Sequence, residues 1–412
     1  MPGTQEARVA AGGSSTLDGK CATIIFILML LGFVAESQLT EYVESSRNYR
    51  QPYFLFYIAH SAMTLIFPLH LLYLRCTTPF PVKSYLLGLS KSFKENFTTA
   101  FSPAASELGH NGILDFPIHR LLAVITWCTV GITTPALLWF VALNYASVSD
   151  VTAIWNSNAF WAYVMSVKLK HTSWEPRRLA AVVIASIGVM VVIYGGNHPT
   201  GSSDSEDIKA PFFGNMLALA ASVTYALYQV LYNMYAVPPS EAEDEDRGAW
   251  RRLSVSSDSV DEALVNDDDI EGLNLADDVV YPLPFGLYTN ALTSGIGIMT
   301  LIALWIPMPI LHLTSIEPFV WPSDTKTLLA ICGIGVSALT FLATFMIMLA
   351  TWGPIVTSVG GLLTTVLVII SDLIFGNAAS TLTLWTVIGA GMIVFAFAAL
   401  AYESLNAHKA GS

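Results

Sequence analysis

Residues 327–350, TLLAICGIGVSALTFLATFMIMLA, run for 24 positions without one charged side chain. At about 1.5 Å per residue a helix of that length is about 36 Å long, enough to cross a hydrocarbon layer about 30 Å thick. Similar stretches recur, and ten membrane spans are predicted, at 20–38, 52–74, 121–145, 149–168, 177–195, 211–236, 284–308, 327–350, 354–375 and 382–402. Lys and Arg stand only at their edges, at Lys20, Lys168, Arg177 and Arg178. The first span is the shortest in clean apolar sequence, from Cys21 to Ala35, and a cleaved signal peptide is the alternative reading there. The 20-residue polar leader before it favours a retained span.

The rest of the composition agrees with that reading. Of 412 residues, 54% are apolar and 12% charged, against roughly 25% charged in soluble domains. This excludes an ordinary soluble enzyme, a disordered chain and a basic nucleic-acid binder. The net charge of −12 is local: between Glu241 and Asp278 lie fourteen Asp and Glu and three Arg, a balance of −11, which leaves −1 for everything else. Cys21, Cys128 and Cys332 sit in apolar runs and Cys76 just after one, a spacing that suggests neither a disulfide framework nor a zinc site.

Basic residues orient the chain. With a cytosolic N-terminus, fifteen of the nineteen Lys and Arg fall on the cytosolic side, and only Arg47, Arg50, Lys209 and Lys326 fall outside. That is the positive-inside bias, and it places both termini in the cytosol. The chain is then read as a cytosolic N-terminus (1–19), a first five-helix unit (20–195) with a cytosolic loop at 75–120, and a non-cytosolic loop (196–210). A sixth helix (211–236), an acidic cytosolic linker (237–282), four more helices within 283–402 and a cytosolic tail (403–412) follow. The linker, charged and rich in Ser and Asp, is expected to be disordered. Within it Arg251-Arg252-Leu253-Ser254 resembles a basophilic kinase site, so Ser254 is a candidate for phosphorylation. Asn96-Phe97-Thr98 is a glycosylation sequon, which the cytosolic placement of its loop should leave unmodified.

A shift of about 204 residues lays LLWFVALNYA (137–146) over FLATFMIMLA (341–350), and the spans at 149–168 and 177–195 over those at 354–375 and 382–402. Shared spacing of three consecutive spans indicates an internal repeat. Because each unit crosses an odd number of times, the second is inverted relative to the first, a common plan of secondary transporters with a mid-membrane site between halves. The expected fold class is therefore all-α: ten transmembrane helices in a 5+5 inverted-topology repeat.

Three stretches carry a family resemblance: Leu143-Asn144-Tyr145-Ala146-Ser147-Val148, Tyr225-Ala226-Leu227-Tyr228-Gln229-Val230-Leu231-Tyr232 and Ile370-Ser371-Asp372-Leu373-Ile374-Phe375-Gly376. They resemble signature stretches of the drug/metabolite transporter superfamily, within it the EamA-like solute carrier 35 group, subfamily F, and its fungal relatives. The resemblance implies a ten-helix transporter, and among its implied substrates are thiamine-like cations. An endomembrane, vacuole or Golgi, is favoured over the plasma membrane.

Polar side chains inside spans are the informative ones, since an unsatisfied polar group costs several kcal/mol in lipid. Ser222, Tyr225, Gln229 and Tyr232 follow one another at steps of 3, 4 and 3, which places them on one helix face. Either they line a cavity or they hold helices together, with Tyr232 also suited to the interfacial aromatic belt. The fourth span offers Thr152, Trp155 and Asn156, again as cavity lining or as helix glue, and Asn144 serves as site residue or cap. Asp372 and His60 are the candidates for ion or proton coupling; the competing readings are a water-reaching cap and a packing histidine. No phosphate-cradling, hydrolytic or metal-binding motif occurs, and no cofactor is expected. Absence of Lys and Arg from span interiors favours neutral or cationic solutes over diphosphates. Pro135 interrupts the third span, and Gly360-Gly361 in the ninth suits close helix contact. The expected function is secondary or exchange transport of a small metabolite by alternating access. The rival is a non-transporting scaffold or receptor that recruits a partner through its acidic loop.

Overall fold

The computed structural model describes residues 19–78, 81–101, 118–142, 145–146, 148–171, 174–195, 211–237, 283–375 and 383–410. Among them lie α1 (Gly19–Glu41), α2 (Pro52–Ser61), α3 (Ile66–Thr77), α4 (Val82–Phe101), α5 (Ile118–Ala142), α6 (Val148–Asn156) and α7 (Asn158–Leu169). The remainder are α8 (Pro176–Gly195), α9 (Pro211–Leu231), α10 (Leu287–Ala303), α11 (Pro307–Leu313), α12 (Thr325–Thr351), α13 (Gly353–Phe375) and α14 (Leu384–Ala410), and no strand occurs among the described residues. Eight segments among them are long and apolar enough to cross a membrane. Large apolar side chains such as Ile24, Leu31, Ile302, Leu329 and Phe395 are exposed on the bundle's outer faces. A bundle of this kind is a multi-pass integral membrane protein, because only lipid makes such faces favourable over so many helices.

The two expected spans outside that set of eight are the fourth and the sixth, and each has a physical reason. The fourth breaks at Ser157 into α6 and α7. Asn156 Nδ2 donates to Thr152 O (3.0 Å), Ser157 Oγ to Ile154 O (2.6 Å) and Asn158 Nδ2 to Trp155 O (3.0 Å). Three consecutive polar side chains thus compete for helical carbonyls, which loosens the backbone ladder there. The sixth, α9, has 21 residues but carries Asn215, Ser222, Thr224, Tyr225, Tyr228 and Gln229.

The first span is longer than its apolar run. α1 continues through Glu41 and ends in a π-helical turn, Tyr42–Ser46. α9 ends in the same way, in a π-helical turn at Tyr232–Ala236. The second span is also interrupted, by a 3-10 turn at Ala62–Leu65.

Packing follows a regular scheme. α1 lies against α12 and α13, α9 against α5 and α7, α2 against α12, and α10 against α5. α8 packs on α14, α7 on α13, and α10 on the 3-10 turn and α3 of the second span. Small residues set the closest approaches. A Cβ on Gly131 would lie 2.6 Å from the Tyr228 ring, and one on Gly360 2.8 Å from the Phe26 ring, whereas Gly361 has nothing within 4 Å. Of the Gly360-Gly361 pair, only the first serves close contact.

The expected loop at 75–120 contains the amphipathic helix α4. Tyr85, Leu89 and Phe93, four apart, are buried, while Leu86 and Lys91 are exposed. Phe93 packs on Tyr288 of α10 with ring centres 4.5 Å apart, and Asn96 Nδ2 donates to the Tyr288 hydroxyl (2.7 Å). At the opposite end, the segment 47–51 is tied to the segment before α12. Arg47 Nη2 meets Asp324 Oδ2 at 2.6 Å, Tyr49 donates to Val320 O (2.8 Å), and Gln51 Nε2 to Pro318 O (3.1 Å). Glu317 caps α2 by accepting from the Tyr53 and Phe54 amides. Hydrogen bonds from Thr327 and the adjacent Arg47 guanidinium hold the Asp324 carboxyl below its ordinary value of 3.8.

Candidate functional site

The polar face of α9 turns inward rather than toward lipid. Tyr225 stacks on Trp155 of α6, with ring centres 5.0 Å apart and planes at 25°, and lies 6.4 Å from Phe345 of α12 with planes at 15°. Both Trp155 and Tyr225 are half-buried. One turn on, Gln229 is buried, and its Oε1 accepts from Ser358 Oγ of α13 (2.5 Å) while its Nε2 has no partner among the described residues. A buried amide donor without a partner costs about 1–3 kcal/mol, so a visiting acceptor is favoured there. Four elements, α6, α9, α12 and α13, therefore meet around Tyr225 and Gln229.

The helix break at Ser157 positions this group. Ser222 Oγ of α9 lies 3.0 Å from Ser157 Oγ and donates to Trp155 O (3.2 Å), fixing α9 against the loosened turn that holds Trp155. Asn156 is beside that turn, but its amide donor is already engaged by Thr152 O. Thr152 supplies that carbonyl and is half-buried.

Tyr232 sits in neither the aromatic belt nor an open chamber. It has 0% exposure, within the π-helical turn, with its ring 5.9 Å from Tyr228. Tyr228 continues the row: it lies 6.5 Å from Tyr225 and 6.4 Å from Trp127, and its hydroxyl points to Met346 Sδ at 3.9 Å. Sequence reasoning passed over Tyr228, Phe345 and Ser358. Tyr228 stands three residues from Tyr225 and was findable by helix spacing, whereas the other two come from distant spans with no local signal.

His60 Nδ1 bonds Phe56 O of its own helix (3.1 Å), and its ring centre is 4.0 Å from that of Phe56. No described contact joins it to the Tyr225 group. Asp372 lies in α13, and its side chain is outside the described residues, as are Asn144, Ser254 and nearly all of the acidic linker. At the other end of α9, Lys170 Nζ donates to Asn233 Oδ1 (2.7 Å), and Asn233 Nδ2 to Leu349 O (2.9 Å), closing α7, α9 and α12 together.

No family model matches the chain. Two proteins of Saccharomyces cerevisiae are similar to it. A thiamine-repressible mitochondrial transport protein is 20% identical over 230 residues, 52% of this chain and 59% of that protein. An uncharacterized vacuolar membrane protein is 24% identical over 297 residues, 69% of this chain and 61% of that protein. The chain thus spans about three fifths of the length of these relatives. A solved structure titled only as the crystal structure of a protein superposes with a TM-score of 0.52 at 14% identity, covering 95% of this chain and 99% of that one. It shares the fold. Of the two yeast relatives, one is named as a transport protein and the other as a membrane protein.

Proposed function

We propose that the protein is a secondary or exchange transporter of the EamA-like drug/metabolite type. Ten spans in two inverted halves would carry a small neutral or cationic metabolite, with thiamine-like cations the best fit, across an endomembrane. The carrying observation is the stacked pair Trp155 and Tyr225 beside the partnerless amide of Gln229. Flat faces attract a ring or an organic cation, by roughly 0.5–2 kcal/mol per contact, and the amide orients it through a hydrogen bond.

Support for the repeat comes from the packing. When each span is exchanged for the one five places away, α1 on α12 becomes α9 on α5, α1 on α13 becomes α9 on α7, and α2 on α12 becomes α10 on α5. The pair α8 and α14 maps onto itself. The π-helical turns after α1 and α9 stand in matching positions. Of the two yeast relatives, one is named as a thiamine-repressible mitochondrial transport protein, which agrees with transport, and the other as a vacuolar membrane protein, which agrees with an endomembrane.

In this reading, the ties at the two ends act as alternate closures. Arg47 with Asp324 closes one mouth, and Lys170 with Asn233 closes the other. Uptake of radiolabelled thiamine into liposomes carrying the purified protein tests the function. Saturable uptake that Tyr225→Ala removes supports it, and uptake equal to empty liposomes for thiamine and for a panel of neutral and cationic metabolites refutes it.

A further inference from the structure

The two sides of α4 differ in chemistry. Its apolar side is committed to the bundle: Phe93 lies on Tyr288, and Tyr85 shares a buried cluster with Leu74 and Leu287. Its basic residues are Lys83, Lys91 and Lys94, against a single acid, Glu95. With Lys83 as origin and about 100° per residue, Lys94 falls at about 20° and Lys91 at about 80°, whereas Tyr85, Leu89 and Phe93 fall at roughly 200–280°. The lysines therefore share the side turned from the bundle. Lys83 and Lys91 are exposed and Lys94 is half-buried, and Leu86 is the one large exposed apolar side chain among the described residues of this helix.

A helix that binds a membrane surface sinks its apolar side into lipid, and here that side is already covered by protein. Three lysines also fall short of the roughly four to eight basic residues that hold anionic lipid. The exposed face instead suits a nearby chain of carboxylates.

The protein carries such a chain to this place. The Tyr288 hydroxyl accepts from Asn96 Nδ2 of α4 (2.7 Å) and donates to Ala236 O (3.1 Å), so the end of α9 stands two hydrogen bonds from α4. Soon after Val237 the sequence reads Glu241-Ala242-Glu243-Asp244-Glu245-Asp246, five carboxylates in six residues. It comes back at Leu283, which packs on the cluster of Leu74, Tyr85 and Leu287, beside α4 once more. The acidic run lies four to nine residues beyond Val237, and a flexible chain of that length spans roughly 10–18 Å. Lys94 and Lys91 are only about 3 and 8 Å from Asn96 along the helix axis. A tether this short gives an effective concentration on the order of millimolar, which a free anion has to match.

We propose that the acidic run Glu241–Asp246 docks on the lysine face of α4, as a contact within the chain. The run needs no fold of its own for this. Each exposed pair of carboxylate and ammonium contributes little, and the tether supplies the rest. The contact is sensitive to salt, and it keeps anionic headgroups from the same lysines. It is independent of which solute the protein carries.

The test uses the full chain purified in an uncharged detergent, with a zero-length carbodiimide crosslinker and an amine-acetylating reagent, both read by peptide mass spectrometry. At about 20 mM salt, where charges act over roughly 20 Å, crosslinks should join Lys83, Lys91 or Lys94 to Glu241–Asp246. Acetylation of Lys91 should then be roughly threefold slower than at about 0.5 M salt, where that reach falls to about 4 Å. Lys326, exposed at the opposite end of the bundle, is the reference for both rates. The combined variant Glu241→Gln, Glu243→Gln, Asp244→Asn, Glu245→Gln and Asp246→Asn should lose the crosslinks and the protection. Should that variant fail to fold, wild type at the two salt concentrations still decides. Equal Lys91 rates at both, or crosslinks to Asp267–Asp269 instead, would overturn the proposal. So would protection that appears only in nanodiscs containing phosphatidylserine and equally in the neutralised variant, since lipid would then be the occupant.

Discussion

Gly188 of α8 and Gly389 of α14 meet backbone to backbone. A Cβ on Gly389 would lie 2.5 Å from the Gly188 carbonyl oxygen, and one on Gly188 2.9 Å from the Gly389 carbonyl oxygen. Neither oxygen can move aside as a side-chain tip would. Gly389→Leu is therefore expected to part the two helices and destabilise the protein by at least the about 1–3 kcal/mol typical of overpacking. Gly391→Ala, which meets nothing within 4 Å, should be tolerated. Thermal unfolding in detergent separates the two, and equal melting temperatures would show that the crossing yields.

The adjacent glycines of α13 make a second matched pair. Gly360→Ala drives a methyl against the Phe26 ring edge at 2.8 Å, with Phe397 at 3.2 Å, while Gly361→Ala has open space. The first should lower the unfolding temperature and the second leave it unchanged. The reverse order, measured in the same assay, would contradict this packing of α1 on α13.

At the candidate site, Tyr225→Phe keeps the ring stacked on Trp155 and loses only a hydroxyl. Gln229→Ala removes both the acceptor for Ser358 and the partnerless donor. One hydrogen bond is worth about 0.5–1.5 kcal/mol net, so each change should weaken solute binding roughly threefold to tenfold. Trp155→Ala should weaken it further, through loss of the stack. Equilibrium binding on correctly folded variants decides, and affinities within about twofold of wild type would remove these residues from the site.

The tie between Arg47 and Asp324 has a defined pH window. Because the Asp324 pKa is lowered in the folded protein, its stabilising effect is complete above the ordinary value of 3.8 and is lost only as pH falls through the lower folded value. Crosslinking of cysteines placed at positions 47 and 324 should proceed freely at neutral pH. With the native pair, proteolysis of the 47–51 segment should be equally slow at pH 5 and pH 8, and Asp324→Asn should accelerate it at both. Cleavage that rises steeply below about pH 6 would assign the switch to another group.

Asn96 offers a check on sidedness. Its amide donates to the Tyr288 hydroxyl at 2.7 Å, so the Asn96 side chain faces the bundle. The residue should carry no glycan when the protein is made in a eukaryotic host, as read by intact mass. Epitope tags at residue 1, within 241–278 and at residue 412 should all be reached from the cytosol, and protection of one alone would break the ten-span topology.

Local chemistry made much of this legible in one dimension. Runs of about 20 apolar residues announce membrane helices because lipid offers no partner to a backbone polar group. The steps of 3 and 4 from Ser222 to Tyr232 put those residues on one face because the helix repeats every 3.6 residues. The partners across helices had no such signal. Ser358 reaches Gln229 over 129 positions, Phe345 joins Tyr225 from another span, and Tyr232 is enclosed rather than interfacial. The first span, short as an apolar run, proved to belong to a helix that continues through Glu41 into a π-helical turn ending at Ser46. Periodicity tells which side of a helix is polar, but close packing of glycines against rings and backbones decides which helix that side meets, and so which polar groups share a site.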